Sequence, residues 1–140
     1  MVAYLDSSAL LGYLLLGEIT LKHAQKFPRV VSSELLEIEC RRVLLRCRME
    51  GRFSDETLIE AVERLEGVLT SIDLLELSGP VKKRSMEAFP IHIKTLDALH
   101  LASALQFTEE VPAENITIFS HDRSFNLCAR ALGFHAALYK

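Results

Sequence analysis

The chain has 140 residues, of which 49% are hydrophobic and 25% charged, with a formal net charge of −3; this suits one compact domain spanning residues 1–140 with a substantial core. The balance excludes a globally basic nucleic-acid binder, so any such contact must come from local cation clusters. The first residues lack a positively charged leader and the apolar run Ala9 to Leu16 is too short to cross a bilayer, so a cytoplasmic protein with no membrane association is expected.

Short apolar strands alternate with amphipathic helical stretches, the pattern of an α/β domain with a mainly parallel sheet. The first strand is expected over Val2 to Leu5, followed by helices over Ser8 to Leu16 and Thr20 to Phe27. A second strand, Arg29 to Ser32, leads into a long helix from Ser33 to Met49 and another from Asp55 to Leu69, with Ser54 placed to cap it. A third strand, Ile72 to Leu77, precedes a helix from Pro80 to Phe89, where Ser78-Gly79-Pro80 is a helix-start signal. Next come a helix from Thr95 to Phe107, with Thr95 as its cap, and a polar loop from Thr108 to Asn115. The strand Ile116 to Ser120, a helix Arg123 to Leu132 ended by Gly133, and a strand His135 to Tyr139 complete the chain. Cys40, Cys47 and Cys128 are odd in number and form no CxxC or Cys/His cluster, so they read as small buried hydrophobes.

Four acids occupy positions where these elements bring them together. Asp6 and Asp122 each fall between a strand and the next helix, at the carboxyl edge where open parallel sheets bind ligands. Taken singly, each also reads as a helix cap. Asp97 lies in the first turn of an almost wholly apolar helix, where backbone N–H groups could satisfy it. His100, three residues on, shares its face and reads as a packed, hydrogen-bonded core histidine more readily than as a ligand. At about 100° per residue, Glu39 sits roughly 70° from the centre of the stripe Leu36, Cys40, Val43, Cys47. Glu37 and Glu34 project farther away, so Glu39 is the acid of this helix nearest the core edge.

There is no phosphate-binding GxxxxGK[ST] loop, no GxSxG elbow and no cysteine in a reactive setting. Hard oxygen donors alone select Mg²⁺ or Mn²⁺, and carboxylates around such an ion suit metal-assisted phosphodiester hydrolysis. Arg41, Arg42, Arg46, Arg48 and Arg52 form one cation cluster, and Lys82, Lys83 and Arg84 another. Each alone also reads as a solvated helix face.

Across nearly its whole length the chain resembles the PIN-domain nucleases, and within them the VapC-type ribonuclease toxins of toxin–antitoxin pairs. Tyr4-Leu5-Asp6-Ser7-Ser8-Ala9-Leu10 is similar to the opening motif of the family, and Ser33 to Glu39 followed by Arg41 to its second. Leu96-Asp97-Ala98-Leu99-His100-Leu101-Ala102-Ser103-Ala104 resembles its most specific signature, and Ser120-His121-Asp122 with Ala129 to Gly133 its closing motif. The resemblance implies a five-stranded parallel sheet of order 3-2-1-4-5 with helices on both faces. It further implies a Mg²⁺- or Mn²⁺-dependent endoribonuclease acting on RNA to leave a 5′-phosphate and a 3′-hydroxyl, commonly a homodimer, silenced by a cognate antitoxin in the acidic groove. On that basis Asp6 and Asp97 would bind the principal metal, with Glu39 and Asp122 completing the shell. Ser7 and Ser120 match small hydroxyl positions that support acids or substrate, and Arg41 and Arg42 are candidate phosphate contacts. Glu37 beside Glu39, and His121 before the fourth acid, depart from the motifs. A housekeeping RNA-processing nuclease and a non-catalytic acidic-groove binding module are the alternatives. A phospho-acceptor receiver is disfavoured, because no acid pair follows the first strand and no lysine follows a late one.

Overall fold

The computed structural model describes residues 1–139. In chain order the elements are β1 (Val2–Leu5), α1 (Ser7–Leu16), α2 (Thr20–Ala24), β2 (Arg29–Ser33), α3 (Leu35–Met49), α4 (Asp55–Leu69), β3 (Asp73–Leu75), α5 (Gly79–Ser85), α6 (Thr95–Glu110), β4 (Ile116–Phe119), α7 (Arg123–Ala131) and β5 (His135–Ala136). All strand pairs are parallel and the sheet runs β3-β2-β1-β4-β5, as the resemblance implies. β1 therefore has β2 on one side and β4 on the other. This is where strand order reverses, the position outside whose carboxyl ends open α/β sheets take ligands.

Alternation along β1 feeds two cores. Ala3 and Leu5 join Leu10, Leu36, Leu44 and Leu65 on one face, while Val2 and Tyr4 join Leu101, Phe107, Ile118 and Phe125 on the other. Every residue of β1 and β4 is buried, as expected for central parallel strands covered by helices on both sides. Cys40, Cys47 and Cys128 are free and buried, the first and last within these cores, and burial pushes the Cys40 thiol up to about 12, which leaves it unreactive. Among the described residues no helix is long and apolar enough to cross a membrane.

The helix caps at Ser54 and Ser78 form as their sequences indicate, each hydroxyl accepting from a backbone N–H three residues on. Gly133, at φ 97, turns the chain after α7 in a backbone region that glycine reaches without penalty. Several boundaries differ from expectation. β3 and β5 are shorter than expected, since each is an edge strand with one partner, and β5 pairs only His135 and Ala136. α2 ends at Ala24 and α5 at Ser85 rather than at Phe27 and Phe89; Pro28 and Pro90 bias the residues before them away from helix. α6 runs past Phe107 to Glu110, with Gln106 donating to Glu110 across its last turn. Thr95 does not cap α6: Lys94 takes the extended flanking position and Thr95 is the first helical residue.

Leu65 of α4 is fully buried among residues of α1 and α3, so Leu65→Ala should lower the unfolding free energy by about 2–5 kcal/mol, measured by urea denaturation.

Candidate active site

Asp6 occupies the N-cap position of α1, yet its carboxylate makes no cap bond. Instead Oδ2 accepts hydrogen bonds from Ser8 Oγ at 2.7 Å and Ser120 Oγ at 2.8 Å. Ser8 Oγ in turn accepts from the His121 N–H, and Ser120 Oγ from the Asp122 N–H. The end of β4 is thereby tied to the start of α1. Asp6 is only 3% exposed, and an unpaired carboxylate that deep would be costly; the two hydroxyls offset that cost while leaving Oδ1 unclaimed.

Asp122 both caps and faces the rim. Its Oδ1 accepts from the Phe125 N–H at 2.9 Å, while the residue stays exposed. Asn126 holds the same turn by donating to the Ser120 carbonyl. The His121 side chain lies against Glu18, Nε2 to Oε2 at 2.7 Å. Gly12 leaves room for that carboxylate, since a Cβ there would collide with it.

Glu39 reaches in from α3. Its Oε2 accepts from Ser7 Oγ at 3.2 Å and its Oε1 from His100 Nε2 at 2.5 Å. The competing acids are engaged elsewhere: Glu37 binds Arg41 at 2.7 Å, and Glu34 accepts the Leu77 N–H. Arg41 also approaches Glu66 of α4, which turns it away from the acids. Arg42 is exposed one turn beyond Glu39 and joins no ion pair among the described residues.

Asp97, half-buried in the first turn of α6, accepts no hydrogen bond among the described residues. Burial, then the charges of Asp6 and Asp122, raise its carboxyl from 3.8 to about 6, with Glu39 adding to the rise and His100 opposing it. The acids from β1, α3, α6 and β4 thus share one electrostatic neighbourhood. Sequence reasoning missed Ser8 and Tyr4. A second serine directly after Asp6-Ser7 was the available signal for Ser8, whereas Tyr4 meets the site only through the folded position of His100.

The donor set is all oxygen, and Asp6 Oδ1, Asp122 Oδ2 and both oxygens of Asp97 accept no hydrogen bond among the described residues, which fits a hard divalent cation. Among the described residues, however, no three acidic, His or Cys side chains are gathered closely enough to chelate an ion as they stand. The convergence is one of charge and not yet a closed ligand sphere. A cavity of about 500 Å³ lies at the other end of β4, lined by Met1, Asn115, Ile116 and Gly133, and contains none of the acids.

The family model of the PIN domain matches residues 3–130, a span that includes all four acids. No curated protein matches the chain.

Because the folded-state carboxyl of Asp97 titrates above its ordinary value, the folded chain holds this proton more tightly than the unfolded chain. Stability from this group is therefore present at low pH and is lost as pH rises from about 4 through about 6. Asp97→Asn should raise the melting temperature in EDTA at about pH 7, and that advantage should vanish near pH 4; calorimetry at the two pH values checks it.

Proposed function

The chain belongs to the PIN-domain family, and from that membership we propose that it is a Mg²⁺- or Mn²⁺-dependent endoribonuclease serving as the toxin of a toxin–antitoxin pair. The observation that carries the reading is the coupling of four carboxylates from four elements at the carboxyl edge beside β1. A divalent cation bound there would supply Lewis-acid activation of water and of the scissile phosphate at neutral pH. Asp6, through Oδ1, and Asp97 are the residues to hold it, with Asp122 Oδ2 and Glu39 beside them.

The chain's own groups then divide the work. Ser8 and Ser120 fix Asp6, and Ser7 and His100 fix Glu39, so two of the acids keep their places without help from substrate. Glu39 and Asp122 orient the attacking water and accept its proton. The P–O3′ bond breaks, leaving a 5′-phosphate on one product and a 3′-hydroxyl, protonated from solvent, on the other. Arg42, one turn from Glu39 and in no ion pair among the described residues, is a better candidate for a phosphate contact than Arg41, which Glu37 and Glu66 neutralise.

Regulation by a partner chain is supported by the outward side of α3. Ile38, Leu45 and Met49, spaced by seven and four residues, are exposed there and give apolar footing next to the acids. An antitoxin segment lying across this helix would cover the rim. The same surface offers footing for a homodimer.

Antitoxin-free protein should cut a structured RNA pool with Mg²⁺ or Mn²⁺ and not with EDTA; Asp6→Asn and Asp97→Asn should each reduce the rate by about 10²–10³-fold. Cleavage that persists in EDTA or in both variants would overturn the reading. Arg42→Ala should lower the salt dependence of RNA affinity by about one unit of slope, and Arg41→Ala should leave it nearly unchanged; filter binding across a salt series reads both.

A further inference from the structure

Behind Glu39 lies a buried polar chain that neither the motifs nor the acid cluster explains. The Tyr4 hydroxyl stands 2.8 Å from His100 Nδ1, and His100 Nε2 stands 2.5 Å from Glu39 Oε1 and 4.0 Å from Asp6 Oδ1. Tyr4 and His100 are wholly buried. The imidazole meets the Tyr4 ring edge-on at 5.8 Å and the Phe125 ring at 6.3 Å, which restricts its rotation.

The hydrogen-bond directions follow from chemistry. A phenol carries its proton at neutral pH, so the Tyr4 hydroxyl is able to donate. A carboxylate facing Nε2 requires a donor there, because a bare nitrogen lone pair would repel it. In the Nε2–H tautomer, which presents a donor to Glu39, Nδ1 accepts from the Tyr4 hydroxyl.

We propose that His100 is a positioning residue, set by Tyr4, that fixes the Glu39 carboxylate beside Asp6 and so prearranges the acids for a divalent cation. The inference rests on the metal-site reading above. Glu39 must reach the rim on a flexible side chain, and among the described residues its only other hydrogen bond is the longer one from Ser7. A donor wedged between two carboxylates from different elements both orients one and softens its repulsion with the other. Hydrogen-bond partners of this kind, one step behind the ligands, commonly set metal affinity.

The test is Mn²⁺ affinity by titration calorimetry for the parent, Tyr4→Phe, His100→Leu and His100→Gln, with ¹⁵N spectra of the histidine rings. Tyr4→Phe and His100→Leu should bind Mn²⁺ about 10–100-fold more weakly. His100→Gln, whose amide N–H can still donate to Glu39, should keep most of the affinity. The parent should show the Nε2–H tautomer for His100, and Tyr4→Phe a mixture. Tyr4→Phe removes one oxygen from an otherwise intact ring, so it carries the test should His100→Leu fail to fold. Equal or tighter Mn²⁺ binding in folded Tyr4→Phe, or an Nδ1–H tautomer in the parent, overturns the inference alone. A parent that takes up no Mn²⁺ overturns the nuclease reading, and the inference with it.

Discussion

Four like charges held at one sheet edge are the constraint around which this structure is organised. Carboxylates repel one another and resist burial, so their convergence persists only because the rest of the fold over-determines their positions. The sheet supplies the anchor points. β1 and β4 are buried along their whole length and paired residue by residue from Val2–Ile116 to Leu5–Phe119, which places Asp6 and the Ser120–Asp122 turn side by side.

The helices bring the other two acids from opposite faces. α3 belongs to the core containing Ala3 and Leu5, whereas α6 belongs to the core containing Val2 and Tyr4. The twofold alternation of β1 thus decides which helix packs where, and through them where Glu39 and Asp97 arrive. His100 spans the two sides: it is carried by α6 and bonds the acid of α3. The packing of each core and the geometry of the site are consequently coupled.

Much of this was legible in the sequence because the strongest signals are local. Strand positions, the caps at Ser54 and Ser78, the turn at Gly133 and the candidacy of the four acids all follow from residue type and spacing. Edge-strand lengths were not, because β3 and β5 end where their single neighbour ceases to pair, and that depends on register. The serine bridge was half legible. Ser120 could be placed near the acids, but the bond from Ser8 to Asp6 depends on how α1 leaves the strand. Arg41 and Arg42 are adjacent in sequence yet point to different sides of α3, and only packing against α4 shows that Glu66 lies near the first.

The four acids are unequally supported, and the inequality has a consequence. Asp6 receives two hydroxyl bonds, Glu39 one hydroxyl and one imidazole bond, and Asp122 one backbone bond. Asp97 receives none among the described residues, and burial, then the charges of Asp6 and Asp122, raise its carboxyl. Burial and the neighbouring acids thus act together on a side chain at the start of a helix, whose free N–H groups offset them only in part. Three of the acids are held by hydrogen bonds, while both oxygens of Asp97 accept none among the described residues. On the reading proposed above, a divalent cation bound at the rim would offset the charges that Asp6 and Asp122 set beside Asp97.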